Sequence, residues 1–269
     1  MTKIIALGTG AAFTMKNFQT NFIIQRNGKN LLVDCGTDIR FSLHTQGLSF
    51  KDIDAVYVSH AHADHVGGME YLGFTRYFTR KAMLEQFVEN PMKLSTFFCE
   101  RGLIKSIWEH SLRGGMEGLE GIDATIDTYF DVQPVNKNGS FTWEGLHFDI
   151  VQSLHVSAKY SIVDSFGLMF TDEDGTRIYI TTDVQFAPET SMKAYYKEAD
   201  VIMHDCETLY RSGVHAHYDD LKNLHPVIKE KMFLCHYQDN VLDDWEKWQE
   251  KASVDGFGGF IKQGLIYTT

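Results

Sequence analysis

The chain has 269 residues, 43% of them hydrophobic, enough for one large domain with a substantial core. Its formal charge of −11, with no basic face visible in the sequence, argues against a protein built to grip a long nucleic acid through its phosphates. No apolar run is long enough to span a bilayer, and Met1-Thr2-Lys3-Ile4-Ile5 opens directly into a strand with no signal-peptide pattern, so a cytoplasmic protein with no membrane partner is expected.

Residues 3–8, 20–26 and 29–34 read as strands, the last two joined at Asn27-Gly28, a hairpin turn signal. The third strand ends in Asp34-Cys35-Gly36, and a helix over 38–47 stops at Gly47. Ala55-Val56-Tyr57-Val58-Ser59 reads as a short buried strand, and a helix follows Gly67-Gly68 over 69–78. Residues 79–135, with helix-like stretches at 80–89 and 94–112, read as a helical insertion within a single domain. Strands return at 146–152, 166–171 and 177–182, the last two joined through Glu173-Asp174-Gly175. A strand over 200–204, a helix over 219–229, a strand over 231–235, a short helix around Trp245–Trp248 and a strand over 264–268 complete the chain. Cys35, Cys99, Cys206 and Cys235 are widely spaced and form no C-x-x-C pair, so free thiols are expected.

The chemistry is concentrated in His60-Ala61-His62-Ala63-Asp64-His65, placed where a strand ends and the chain turns. Imidazole nitrogen and carboxylate oxygen suit zinc, and also manganese or iron(II). One ion cannot take all four side chains from so short a segment, whereas two ions can. Single residues at later strand ends complete the set: His155, Asp183 and His236. The assignment is His60, His62, His155 and Asp183 on one ion, with Asp64, His65, His236 and Asp183 on the other. Asp183 bridges because a carboxylate has two oxygens. Two divalent ions are therefore expected, zinc first because histidines dominate the set. A hydroxide between them would be the nucleophile, since a metal lowers the pKa of bound water to about 7. Asp34 is the expected partner of a ligand histidine's other ring nitrogen. Acidity does not rule out a small phosphorylated substrate, because the ions supply local positive charge.

With these residues in place the chain resembles the metallo-β-lactamase superfamily over nearly its whole length. Leu7-Gly8-Thr9-Gly10, Asp34-Cys35-Gly36, the H-x-H-x-D-H motif, His155, Asp183 and His236 follow the superfamily's order. The resemblance implies a four-layer αββα sandwich with metals at one edge of its two sheets. Flavin-linked di-iron members carry a glutamate where His62 stands, so His62 favours hydrolysis. Met203-His204-Asp205-Cys206-Glu207-Thr208 followed by His215-Ala216-His217 is similar to the ribonuclease Z branch, in which the later histidine assists the leaving group. That role falls on His215, or on His217, with Asp205 orienting the ring; Asp64 is the alternative proton donor.

Ribonuclease Z itself usually carries a long tRNA-binding arm between the positions matching His155 and Asp183. Here those residues lie only 28 positions apart. The chain is more similar to the cyclic-nucleotide phosphodiesterases of the branch, a family that includes the anti-Pycsar proteins. That resemblance implies hydrolysis of small cyclic nucleoside monophosphates to linear ones, a homodimer, and a host-cytoplasm setting if the chain is phage-encoded. A tRNA 3′-processing endoribonuclease and another metallohydrolase such as a lactonase are the alternatives. A non-enzymatic nucleotide-binding module is a third, against which the intact donor set argues. Aromatic rings from 71–78 or from Phe257–Phe260 are candidate platforms for a base, with core packing as the competing role.

Overall fold

The computed structural model describes residues 1–187 and 192–268. The strands are β1 (Lys3–Gly8), β2 (Asn21–Arg26), β3 (Lys29–Val33), β4 (Ala55–Val58), β5 (Ser95–Glu100), a small hairpin of β6 (Gly118–Leu119) and β7 (Ile122–Asp123), then β8 (Phe130–Val135) and β9 (Ser140–Trp143). They continue with β10 (Leu146–Ser157), β11 (Ile162–Thr171), β12 (Arg177–Ile180), β13 (Val201–Asp205), β14 (Met232–Cys235), β15 (Gly259–Phe260) and β16 (Ile266–Thr268). The helices are α1 (Ile39–Thr45), α2 (Ala63–Val66), α3 (Met69–Glu85), α4 (Arg101–Ile107), α5 (Arg113–Met116), α6 (Ile126–Tyr129), α7 (Met192–Glu198), α8 (Tyr218–Leu221), α9 (Pro226–Lys229), α10 (Asn240–Asp243) and α11 (Trp245–Asp255).

Two seven-stranded sheets result. The first runs β16-β1-β2-β3-β4-β5-β8 and the second β15-β14-β13-β12-β11-β10-β9. Strand periodicity sorts the side chains between layers. On β4, Ala55 and Tyr57 face the second sheet while Val56 and Val58 face α1 and α3. Both faces are covered, which explains the unbroken apolar run of this parallel strand. Three apolar layers follow: helices on the first sheet, sheet on sheet, and the second sheet on α7, α8 and α11. This is the four-layer αββα sandwich that the motifs imply. Among the described residues no helix is long and apolar enough to cross a membrane.

The expected hairpins form. Asn27 and Gly28 both take positive φ, as a tight β2–β3 turn requires. The stretch 79–135 departs from its reading. α3 continues to Glu85, and 95–100 is a strand, not the start of a helix. Thr96-Phe97-Phe98-Cys99 is β-branched and aromatic and pairs between β4 and β8, with Phe97, Phe98 and Cys99 buried, and so short an apolar run does not declare its type by periodicity. The segment thus supplies two core strands, and its helices and small hairpin fill the crossover between them. The helix read over 219–229 is two short ones, because Pro226 cannot continue a helix and instead starts the second. β10 runs on to Ser157, so His155 lies inside a strand and not after it.

The inter-sheet layer is held by rings. Phe141 stacks on Phe98 at 4.2 Å and on Phe148 at 4.9 Å, and Phe148 meets Phe170 at 4.9 Å. Tyr57 donates across the layer to the Phe166 carbonyl at 2.7 Å. Phe148→Ala should therefore lower the free energy of unfolding by about 3–5 kcal/mol, measured by urea denaturation with an unchanged slope.

Candidate metal centre

The C-terminal end of β3 builds the floor. Asp34 takes φ 62°, an αL conformation uncommon outside glycine, and turns its carboxylate back under β4. It accepts from the Ser59 backbone N–H at 2.8 Å, the Ser59 hydroxyl at 2.9 Å and His65 Nδ1 at 2.7 Å. The Cys35 N–H bonds the His65 carbonyl at 2.8 Å, tying the turn to α2. Gly36 is needed there, because a β-carbon would lie 2.4 Å from the Asp64 carbonyl oxygen. His60 Nδ1 lies 3.0 Å from the Ser59 hydroxyl. The H-x-H-x-D-H loop is thus oriented from behind by hydrogen bonds to ring nitrogens that face away from the centre.

The second sheet brings the other donors. Leu154 pairs with Asp164 and Val156 with Val163, so His155 is the extra residue of a β-bulge and is re-aimed inward. Its Nδ1 donates to the Val214 carbonyl at 2.9 Å, and Nε2 lies 3.0 Å from His62 Nδ1. Asp183 follows Thr182, a β-branched residue at φ 54°, and His236 sits at φ 60° just past β14. Left-handed backbone at Asp34, Thr182 and His236 places strain at three edges of one site, where such strain is characteristically stored.

Beside a smaller group of Asp205, His215 and His236, two groups of four donor atoms converge, each mutually within 4.8 Å: His60, His62, His155 and Asp183, and Asp64, His65, Asp183 and His236. Asp183 belongs to both. His65 Nε2 is 3.2 Å from both Asp64 and Asp183, and His60 Nε2 is 3.7 Å from Asp183. His60 Nε2, His65 Nε2, Asp64 Oδ2 and both His236 ring nitrogens are buried without a hydrogen-bond partner. Buried polar atoms left unpaired cost about 1–3 kcal/mol each, so five at one point mark a place built to receive something. Divalent ions fit that test in donor type and number.

Electrostatics keep His60, His155 and His236 in the neutral form that can ligate, whereas His65 is pushed the other way. Burial, reinforced by His65, holds His60 well below its ordinary range. Burial likewise lowers His155 and His236, each to about 4, against the opposing pull of Asp183. Burial disfavours charge on Asp64, yet the adjacent His65 holds it at about 2. Burial also works against charge on His65, and Asp183, Asp64 and Asp34 outweigh it to hold that ring well above its usual value. A divalent ion held by Asp64 and Asp183 would supply the positive charge that His65 carries here.

His215 stands at the lip. Its Nδ1 is 2.8 Å from Asp205 Oδ2 and 3.9 Å from Asp183, and its ring lies 4.8 Å from His236 and 5.1 Å from His155. Asp205 is in turn fixed by the Val184 N–H at 2.8 Å. Burial opposes charge on His215, but Asp205, through charge and hydrogen bond, pushes it up to about 10. His217 is placed differently: its Nδ1 accepts from the Asp219 N–H at 3.1 Å and caps α8. Sequence reading passes over Ser59 and Val214; the position of Ser59 immediately before the motif was a usable signal, and for Val214 there was none. Most of the expected aromatic platforms are engaged in packing, and Phe78, 51% exposed, is the exception. Phe257 and Phe260 are buried around Tyr218 and Trp248, and Phe74 and Tyr77 pack on Tyr129.

The two-sheet sandwich with a His/Asp donor set at its edge defines a metallo-β-lactamase-fold protein with a centre suited to divalent metal ions. The fold is shared with YhfI from Bacillus subtilis, a metallo-β-lactamase fold protein of known crystal structure, at a TM-score of 0.71 and 18% identity over 99% of this chain and 98% of that one. The chain belongs to the anti-Pycsar protein Apyc1 family, whose model matches residues 2–267. An anti-Pycsar protein Apyc1 of Paenibacillus xerothermodurans is 32% identical over 270 residues, covering 99% of this chain and 97% of the relative. Another, from Bacillus phage vB_BsuM-Goe3, is 30% identical over 250 residues, covering 89% and 90%.

Adding zinc or manganese to chelator-treated protein should raise its unfolding temperature, because ions that bind only the folded state stabilise it. The rise should be smaller for Asp183→Ala than for His236→Ala, since Asp183 belongs to both donor groups. Differential scanning fluorimetry with metal analysis reads both, and equal rises would contradict the shared role of Asp183.

Proposed function

We propose that the chain hydrolyses 3′,5′-cyclic nucleoside monophosphates to linear monophosphates with the aid of two divalent ions. The observation that carries this reading is the pairing of a shared Asp183 between two donor groups with an Asp205–His215 dyad aimed at the same carboxylate. Membership in the anti-Pycsar family supports a cyclic-nucleotide substrate and a role in countering cyclic-nucleotide immune signalling. The absence of a long arm between His155 and Asp183, where β10 and β11 are joined by a short hairpin, and the charge of −11 argue against tRNA.

In this reading His60, His62, His155 and Asp183 hold one ion, and Asp64, His65, Asp183 and His236 the other. When bound, such ions draw in phosphate oxygens and lower the pKa of coordinated water to about 7. Asp34, Ser59 and Val214 keep the histidine rings aimed, so the donors need not reorganise during turnover. His215 keeps Nδ1 on Asp205 and leaves Nε2 for the substrate. In hydrolysis water loses a proton to solvent as its oxygen forms the new bond to phosphorus, the bond to one ribose oxygen breaks, that oxygen takes a proton from His215, and solvent returns a proton to His215. A ribose alkoxide is a poor leaving group, so this proton transfer supplies what the rest of the centre lacks. The proposed state is a homodimer, as the family resemblance implies; light scattering on the purified chain measures it.

Metal-loaded protein incubated with a panel of cyclic nucleotides, a precursor tRNA and a lactone tests the reading. Linear monophosphates should accumulate, and efficient cleavage of tRNA or lactone alone would overturn it. His215→Ala should lower turnover of a cyclic nucleotide by about 10²–10⁴-fold. The loss should be far smaller on a nitrophenyl phosphodiester, whose leaving group departs without a proton. His217→Ala should instead cost stability of about 1 kcal/mol through loss of the α8 cap, with no dependence on the leaving group.

A further inference from the structure

Beside His215 lies a recess of about 260 Å³ whose wall includes Gln185, Phe186, Glu207, Arg211 and His217. It is smaller than the roughly 300–1,000 Å³ of pockets for drug-sized ligands and has room for one small molecule rather than a polymer. Its inner wall is the segment immediately after Asp183. That segment is pinned on two sides: the Val184 N–H bonds Asp205 at 2.8 Å, and the Gln185 N–H bonds the Leu154 carbonyl at 3.0 Å, beside His155. Gln185 is therefore held at a fixed position relative to the donor set, and the Phe186 ring that follows it packs partly on the core beneath the second sheet.

Resting on the function proposed above, the geometry assigns this recess to the nucleoside half of the substrate. With phosphorus at Asp183 and the departing ribose oxygen at His215, the atoms beyond that oxygen continue on the far side of His215, where the recess begins. We propose that the Phe186 ring stacks on the base and that Gln185 reads its polar edge. Phe186 is half-buried and is the one aromatic ring other than imidazole among the lining residues. The Gln185 carboxamide, which has both a donor and an acceptor, makes no hydrogen bond to another described residue, whereas Arg211 is engaged by Asp220 and Glu207 by the Ser212 N–H. A flat ring beside an uncommitted carboxamide matches a nucleobase, which offers a π-face and donor and acceptor groups on its rim.

The test compares the metal-loaded full-length chain with Phe186→Ala, Phe186→Tyr and Gln185→Ala. Substrates are a 3′,5′-cyclic nucleotide and the corresponding cyclic ribose phosphate without a base. Loss of the stacking ring should raise KM for the cyclic nucleotide about 5- to 150-fold. It should weaken binding of the linear monophosphate, read by calorimetry, by a similar factor. The substrate without a base should show no corresponding rise, and Phe186→Tyr should stay close to the parent. Gln185→Ala should change the ratio of KM values between purine and pyrimidine substrates; it carries the test if Phe186→Ala does not fold. Unchanged KM in both alanine variants, or an equal rise on the substrate without a base, would overturn the subsite alone. A parent chain that leaves every cyclic nucleotide intact would overturn the proposed function and the subsite with it.

Discussion

The centre depends on one buried carboxylate. Asp34 is 2% exposed and accepts three hydrogen bonds, from Ser59 N–H, Ser59 Oγ and His65 Nδ1. Each bond passes the position of β3 on to something else: the exit of β4, the hydroxyl beneath His60, and the ring of His65. Without the carboxylate all three partners would be left buried and unpaired, at about 1–3 kcal/mol apiece. The αL backbone at Asp34 costs about 1–3 kcal/mol, and it persists because the flanking strands are packed on both faces and over-determine the turn.

The donors come from both halves of the chain. His60, His62, Asp64 and His65 project from the first sheet's edge, whereas His155, Asp183 and His236 project from the second. Ions held between them would tie sheet to sheet at the edge where the aromatic stack of the core runs out. Metal affinity and the docking of the two sheets are then one thermodynamic quantity seen from two sides. The bulge at His155 belongs to the same logic: with regular pairing through Ser157, the one-residue shift would carry this side chain to the opposite face of β10.

What could be read from the residues follows distance along the chain. His60 to His65 form a local pattern, and its strand-to-turn setting is also local, so both were readable. His155, Asp183 and His236 gained meaning only jointly, each being a single residue far from the others in sequence, and His155 proves to lie within β10. Asp34 was readable as a ring-nitrogen partner because its turn precedes the motif in a fixed order. The failures are where tertiary context outweighs pattern. Residues 95–100 look like helix or strand equally until β4 and β8 enclose them. Phe257 and Phe260 look like loop rings until α8 and α11 close over them. Phe186 carried no signal at all, since its nearness to His215 arises from β13 crossing beside β12 and the chain then returning through residues 206–217.

The four cysteines have a consequence for how this protein behaves toward reagents. Cys35, Cys99, Cys206 and Cys235 are all buried, and burial raises every one of their thiols above the usual range. A thiolate is the reactive form, so in the closed fold these groups are chemically silent. Alkylation must wait for strands of both sheets to part, which makes the rate of thiol labelling a clock for opening of the sandwich. Among the described residues no cysteine sulfur joins the donor groups, so the centre suits metals content with nitrogen and oxygen.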